Sequence, residues 1–275
     1  MASPRILMCP PTYFGVHYEI NPWMNTKREV DHPRSVRQWL RLRRILEDLG
    51  ATIEVVNPVE GLPDMVFTAN AALIYGRSAV LSRFKHPQRQ GEEEHYRRRL
   101  EQDGLTVLNP PERFAFEGAG DALFCGDTLY AGYRSRSDGA GIQQIGDLLQ
   151  VRALPLELVD PRYYHLDTCF CPLADDAAIY FSQAFDDYGR RVLLENISTL
   201  VDLDETEAQR FGCNAVVIGR NVVANQGCPR LRRALSDLNY ELIETPLDEF
   251  VKAGGSAKCL TLRLDGEAAA AWRNA

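Results

Sequence analysis

Three times along this chain, two short apolar runs face each other across a glycine-led turn, and a helix-like stretch follows. Runs 71–75 and 79–81 flank Gly76-Arg77-Ser78, and the pairs 122–125/128–133 and 215–218/222–224 repeat the arrangement. Short apolar runs bounded by Gly, Pro, Asn or Asp read as strands, and 53–56, 106–108, 178–181 and 260–264 add to them. Helical stretches fall between them at 35–49, 91–103, 139–149, 186–197, 204–211 and 228–239. Gly50 supplies the stop of the first, and Asp204-Glu205-Thr206-Glu207 opens another with an acidic first turn. The alternation strand–strand–helix–strand returns about every 50 residues, which marks an internally repeated ββαβ unit in an α/β fold. A doubly wound nucleotide-binding sheet would alternate single strands with helices instead. Neither GxGxxG nor GxxxxGK[ST] occurs. The stretch 91–103 reads as a charged surface helix, the arginines of 37–44 as the wet side of a helix, and 268–271 as a short helix or frayed end.

Bulk properties narrow the class. With 275 residues, 45% of them hydrophobic, the chain can bury a large core. No linker or low-complexity stretch divides it, so one catalytic domain over 1–275 is expected. A net charge of −7 argues against a nucleic-acid surface and does not repel a cationic substrate. The apolar stretch 6–9 ends at two prolines and is too short for a leader core, and no run approaches the length of a membrane helix. Seven cysteines, scattered and without a CxxC pair, read as mostly free thiols in a reducing compartment, and a cytoplasmic location is expected.

Three segments carry the chemistry. Cys259 ends Gly254-Gly255-Ser256-Ala257-Lys258-Cys259, His165 lies in Tyr164-His165-Leu166-Asp167, and Glu117 lies in Phe116-Glu117-Gly118-Ala119-Gly120-Asp121. A cysteine, a histidine and a carboxylate are what nucleophilic attack on a carbon electrophile requires. The other six cysteines, and His17, His32, His86 and His95, are read as structural or surface residues, and Asp121 as structural.

These segments, in this order, resemble the guanidino-group-modifying superfamily. The resemblance adds Asn21-Pro22-Trp23-Met24, Pro63-Asp64-Met65-Val66-Phe67-Thr68-Ala69-Asn70, His86-Pro87-Gln88-Arg89 and Gly132-Tyr133-Arg134-Ser135-Arg136, so it spans nearly the whole chain. It implies a pentein fold, a five-bladed α/β-propeller of ββαβ units, which agrees with the repeat. Arginine deiminases and dimethylarginine dimethylaminohydrolases place an acidic residue where this chain has Asn70. Asparagine there, with Asn21, resembles arginine dihydrolase, and a stand-alone arginine-hydrolysing domain is the expected match.

The resemblance also implies roles. Cys259 attacks the guanidino carbon and His165 shuttles protons. Glu117 and Asp167 hydrogen-bond the planar guanidinium, whose paired N–H donors suit carboxylates. Asp167 lies two residues from His165, which in a strand places both on one side. Asn70 supplies a neutral amide, Asp64 contacts the amino or guanidinium end, and Asn21 binds the amino-acid moiety or the reacting group. Arg89 and Arg136 clamp the α-carboxylate as a bidentate pair, with Arg134 a competitor of Arg136. Neither metal nor organic cofactor is implied. The partner is a small guanidino compound, with arginine leading over methylated arginines. The products are ornithine, ammonia and carbon dioxide, or citrulline if the reaction stops early. Amidine transfer, and a non-catalytic ribosome-binding pentein, are the remaining alternatives. Oligomeric state is open, a homodimer included.

Overall fold

The computed structural model describes residues 3–271, so the outermost ends of the domain expected over 1–275 lie outside the described residues. β1 (Arg5–Met8) and β2 (Thr52–Val55) flank the helix His32–Asp48. Four complete units follow. The first is β3 (Ala72–Tyr75), β4 (Ser78–Leu81), the helix Glu92–Gln102 and β5 (Thr106–Leu108). The second is β6 (Ala122–Cys125), β7 (Thr128–Tyr133), the helix Gly139–Leu149 and β8 (Arg152–Glu157). The third is β9 (Phe170–Ala174), β10 (Ala177–Tyr180), the helix Asp187–Asn196 and β11 (Thr199–Asp202). The fourth is β12 (Val216–Ile218), β13 (Asn221–Asn225), the helix Pro229–Asp237 and β14 (Glu241–Thr245). The last strand is β15 (Leu262–Arg263).

Each complete unit is one three-stranded sheet: an antiparallel hairpin, then a helical crossover to a parallel third strand. The fifth sheet, β15-β1-β2, follows the same rule from both ends of the chain, since β15 runs antiparallel to β1 and β1 parallel to β2. The repeat read from the sequence is therefore present five times. The hairpins turn tightly: Tyr75 pairs with Ser78, Cys125 with Thr128 and Ile218 with Asn221. In each of the three, the residue after the first strand is a glycine with positive φ, the conformation such a turn demands.

The helix His32–Asp48 shows how sequence sets an element. Asp31 caps it by accepting from the Arg34 N–H at 2.9 Å, and Pro33 pre-sets the first turn. Ser35, Gln38, Trp39, Leu42 and Leu46 recur at helical spacing and are buried, while the intervening arginines stay outside or half-buried. Gly50, at φ +88°, ends it. The helix Glu92–Gln102 departs from expectation. Most of its charged residues face outward, but Glu92 is fully buried with Tyr96 and Leu100. The stretch 268–271 does not fray: Gly126 N–H donates to the Ala269 carbonyl at 2.6 Å and its carbonyl accepts from Ala271. Among the described residues, no helix is long and apolar enough to cross a membrane.

Candidate active site

Every unit contributes the turn that leads into the first strand of its hairpin. The turn Thr68–Ala71 before β3 carries Asn70. Glu117 starts the turn Gly118–Asp121 before β6. His165 precedes the 3-10 turn Leu166–Thr168, which holds Asp167 and leads to β9. Asn214 lies two residues before β12, and Cys259 three before β15. Hydrogen bonds join these turns in a closed circuit. Asn70 Nδ2 reaches the Glu117 carbonyl at 3.5 Å, and Asp121 accepts from the Leu166 N–H at 3.2 Å. Asn214 Nδ2 donates to the Asp167 carbonyl at 3.0 Å, and the Cys259 N–H donates to Asn214 Oδ1 at 3.1 Å. The Ala69 N–H returns to the Cys259 carbonyl at 3.1 Å.

Inside this circuit, the Cys259 thiol donates to Asp167 Oδ2 at 3.3 Å and accepts from Asn214 Nδ2 at 3.1 Å. Burial, and then the neighbouring Asp167 charge, push the thiol well above its ordinary range. Both effects favour the protonated thiol over the thiolate. Asp167 is raised to about 7, because burial outweighs the Cys259 hydrogen bond and the Lys258 charge. Its Oδ1 is buried and has no partner among the described residues.

His165 and Glu117 form a second cluster. His165 Nε2 lies 2.7 Å from Glu117 Oε2, and Arg136 Nη1 donates to the same oxygen at 2.9 Å. Burial would raise Glu117, but the Arg136 guanidinium and the His165 hydrogen bond outweigh it and hold the carboxyl well below the usual range. Burial lowers His165 to about 4, against the pull of Glu117. A neutral imidazole beside an ionised acceptor carries its proton on Nε2, which assigns the tautomer. The lone pair is then on Nδ1, which is buried and unpartnered among the described residues.

A small cavity reaches Cys259, walled by Ile20, Asn21, Met24, Asp64, Phe67, Asn70, Arg89, Arg136, Tyr164 and Ala253. Eight of the nine residues expected in the site thus lie on this cavity or bond a residue that does, and His165 joins it one step further out, through Glu117. Asp64 accepts from the Tyr18 hydroxyl at 2.9 Å, and its Oδ1 is buried without a partner among the described residues. Asn21 accepts from the Trp23 and Met24 N–H groups and donates to the Ala253 carbonyl. A larger open cleft beside the cavity, lined by Tyr13, His17, Tyr18 and Glu60 among others, holds neither Cys259 nor His165. Tyr18 is common to both spaces through its bond to Asp64.

Three expectations are corrected. His165 and Asp167 do not share a face of a strand: they sit on an extended residue and a 3-10 turn. Arg89 does not present a free bidentate fork. Its Nε and Nη2 both bond Glu92 at 2.8 Å, and its Nη1 donates to Asn70 Oδ1 at 2.8 Å. Arg134 is no rival of Arg136. It is exposed and pairs with Glu157, whereas Arg136 is 2% exposed and lies over the Tyr164 ring. The sequence reading missed Asn214, Glu92, Tyr18 and Tyr164. Asn214 had a usable signal in its place just before the first strand of a repeat unit, and Glu92 in its spacing three residues after Arg89.

A buried thiol, a neutral imidazole with a free lone pair, and unpartnered carboxylate oxygens suit attack on a donor-rich cationic carbon centre. The fold and site define an α/β protein of five three-stranded sheets around a buried Cys–His–carboxylate centre. The sequence matches the family described as "N,N dimethylarginine dimethylhydrolase, eukaryotic" over residues 11–265. It is 36% identical to the N(G),N(G)-dimethylarginine dimethylaminohydrolase of Mycobacterium tuberculosis, covering 94% of this chain and 85% of that protein. The chain belongs to the dimethylarginine dimethylaminohydrolase family. It is also 44% identical to the bifunctional arginine dihydrolase/ornithine cyclodeaminase ArgZ of Synechocystis sp., over 94% of this chain. It spans 37% of that longer protein's length. The crystal structure of the ArgZ N-terminal domain, a Cys-to-Ser mutant bound to substrate, superposes with a TM-score of 0.93 at 42% identity, covering 97% of this chain and 100% of that one.

Proposed function

We propose that this protein hydrolyses free L-arginine twice, to ornithine, two ammonia and carbon dioxide. The carrying observation is the amide of Asn70. Arg89 donates to its Oδ1, and Nδ2 turns one hydrogen toward the Glu117 carbonyl, which leaves its second hydrogen as a donor on a side chain that lines the cavity. After one hydrolysis the substrate's terminal group is a neutral ureido group with a carbonyl oxygen. A carboxylate at this place would lose its ion pair with the substrate and be left desolvated. An amide donor matches that oxygen and can hold it for a second attack. The similarity to ArgZ supports the same reading.

The remaining residues take consistent roles. The guanidinium N–H groups satisfy Asp64 Oδ1 and Asp167 Oδ1, whose partners are otherwise missing among the described residues. The Cys259 proton passes to His165, and the thiolate bonds the guanidino carbon. His165 returns the proton as a C–N bond breaks and ammonia leaves. Water then adds to the thiouronium carbon with His165 as base, the C–S bond breaks, and citrulline remains. The second round displaces the other nitrogen and leaves a carbamate, which loses carbon dioxide. Glu117, paired with Arg136, keeps His165 in its tautomer. Arg136 binds the α-carboxylate with Arg89, the latter once Asn70 shares its Nη1. Seven buried free cysteines fit a reducing cytoplasm.

Incubation of the pure protein with L-arginine tests this. Ornithine with about two ammonia per arginine is the expected balance for two hydrolytic steps. Citrulline alone would make it a deiminase and remove the role given to Asn70. No turnover with arginine and release of methylamines from methylated arginines would favour dimethylarginine hydrolysis.

A further inference from the structure

The unit that begins at β12 supplies one polar side chain to the catalytic circuit, Asn214, which no recognised motif marks. It is fully buried, and its amide makes three hydrogen bonds. Oδ1 accepts from the Cys259 N–H at 3.1 Å. That contact fixes the amide's orientation, because a backbone N–H needs an acceptor. The two Nδ2 hydrogens are then directed to the Asp167 carbonyl at 3.0 Å and to Cys259 Sγ at 3.1 Å. Its own carbonyl accepts from the Lys258 N–H at 3.3 Å. Asn214 therefore grips the nucleophile at its sulfur, at its peptide nitrogen and through the residue before it, while tying it to the turn of Asp167.

We propose that Asn214 is a catalytic residue whose amide N–H stabilises the Cys259 thiolate. This rests on Cys259 being the nucleophile. In the resting protein, Sγ–H is donated to Asp167 and Sγ accepts from Asn214. When the proton leaves, the contact to Asp167 turns from a hydrogen bond into the approach of two anions. The contact to Asn214 becomes charge-assisted and strengthens. Among the described residues, Asn214 is the one side chain that donates to this sulfur. A donor already aimed at the place where negative charge develops needs no rearrangement, and that pre-organisation gives such contacts their effect on rate. The same amide serves again when the thiolate departs from the thiouronium carbon.

The test uses Asn214→Ser, which adds no charge, and Asn214→Asp, which keeps the acceptor for the Cys259 N–H and removes the donors. Each is compared with wild type in kcat and KM for L-arginine, in thermal unfolding, and in the pH dependence of inactivation by iodoacetamide, with the labelled peptide identified. The expected result is a fall in kcat of about 100-fold with little change in KM. The inactivation midpoint should move up by about one pH unit or more, further for Asn214→Asp. A kcat within about threefold of wild type, or an unmoved midpoint in a folded variant, overturns the proposal. Should one variant fail to fold, the other carries the same two readouts. If both fail to fold, the role is structural and the proposal falls. In wild type, arginine should protect Cys259 from labelling. Labelling of Cys259 without loss of activity would sink the nucleophile assignment itself, a separate result from an unmoved midpoint.

Discussion

Single side chains here work against their own burial. Asp167 in the free protein has a pKa of about 7, because burial outweighs its contacts to Cys259 and Lys258. In an unfolded chain it ionises near 3.9, so folding opposes an ionisation that the unfolded state undergoes freely. The resulting destabilisation is absent below about pH 4, grows as the pH rises and levels off above about pH 7. Asp167→Asn should therefore leave the melting temperature unchanged at the acid end and raise it at the alkaline end, while abolishing turnover. Thermal unfolding across that window, without substrate, reads this directly. An equal shift at both ends would contradict it. Asn70→Asp is the second test at this scale. It restores an anion opposite Arg89 and should stop the reaction at citrulline or abolish it. Ornithine formed at the normal rate by that variant would remove the argument from the amide.

Elements hold these side chains in register. The helix Glu92–Gln102 begins with a buried carboxylate whose two oxygens take the Nε and Nη2 of Arg89. Arg89 in turn orients Asn70. Glu92→Ala leaves a buried guanidinium unpaired, and unfolding in denaturant should show a loss of about 3 kcal/mol or more. A change below about 1 kcal/mol would mean that Arg89 has found another partner. In the turn Gly118–Asp121, a Cβ on Gly120 would stand 2.0 Å from Asn70 Nδ2. Gly120→Ala must push that amide aside, so activity on arginine should fall by far more than the roughly 1–3 kcal/mol that overpacking costs in stability. Elements also show where the sequence is readable. Strands β5, β6 and β7 and the helix Gly139–Leu149 fall on the residues their patterns predict. The pattern passes over β8, β9, β11 and β14, and of these β8 and β9 each contain a proline, Pro155 and Pro172. Both lie at the edge of their sheets, the position where a strand tolerates proline, so the residue that hid them also marks their place. β1 was visible only as an apolar run too short for a leader; it is the middle strand of its sheet.

At the scale of the molecule, Cys259, His165 and Glu117 stood out in their own segments, with glycines around Glu117 and Cys259, while the roles of the other six expected residues were implied by the resemblance to a known superfamily. What could not be read was the pairing among them. That Arg136 faces Glu117 depends on the β6–β7 hairpin folding back within one unit, a contact between residues 19 apart that no local pattern encodes, whereas Arg89 and Glu92 are an i,i+3 pair. Asn214 is the clearest case, since only the repeat, applied to a unit without any motif, would have pointed to it. The circuit of hydrogen bonds from Asn70 to Cys259 crosses every boundary between units, and so no unit owns the catalytic centre. In a urea titration, turnover and far-UV circular dichroism should be lost in one coincident transition; activity that outlasts part of the helical signal would contradict this. The closed circuit also bears on quality control. A copy with any one sheet out of place has no assembled nucleophile, so damaged or half-made molecules consume no substrate. Reaction rate per molecule then serves as a direct count of the intact population.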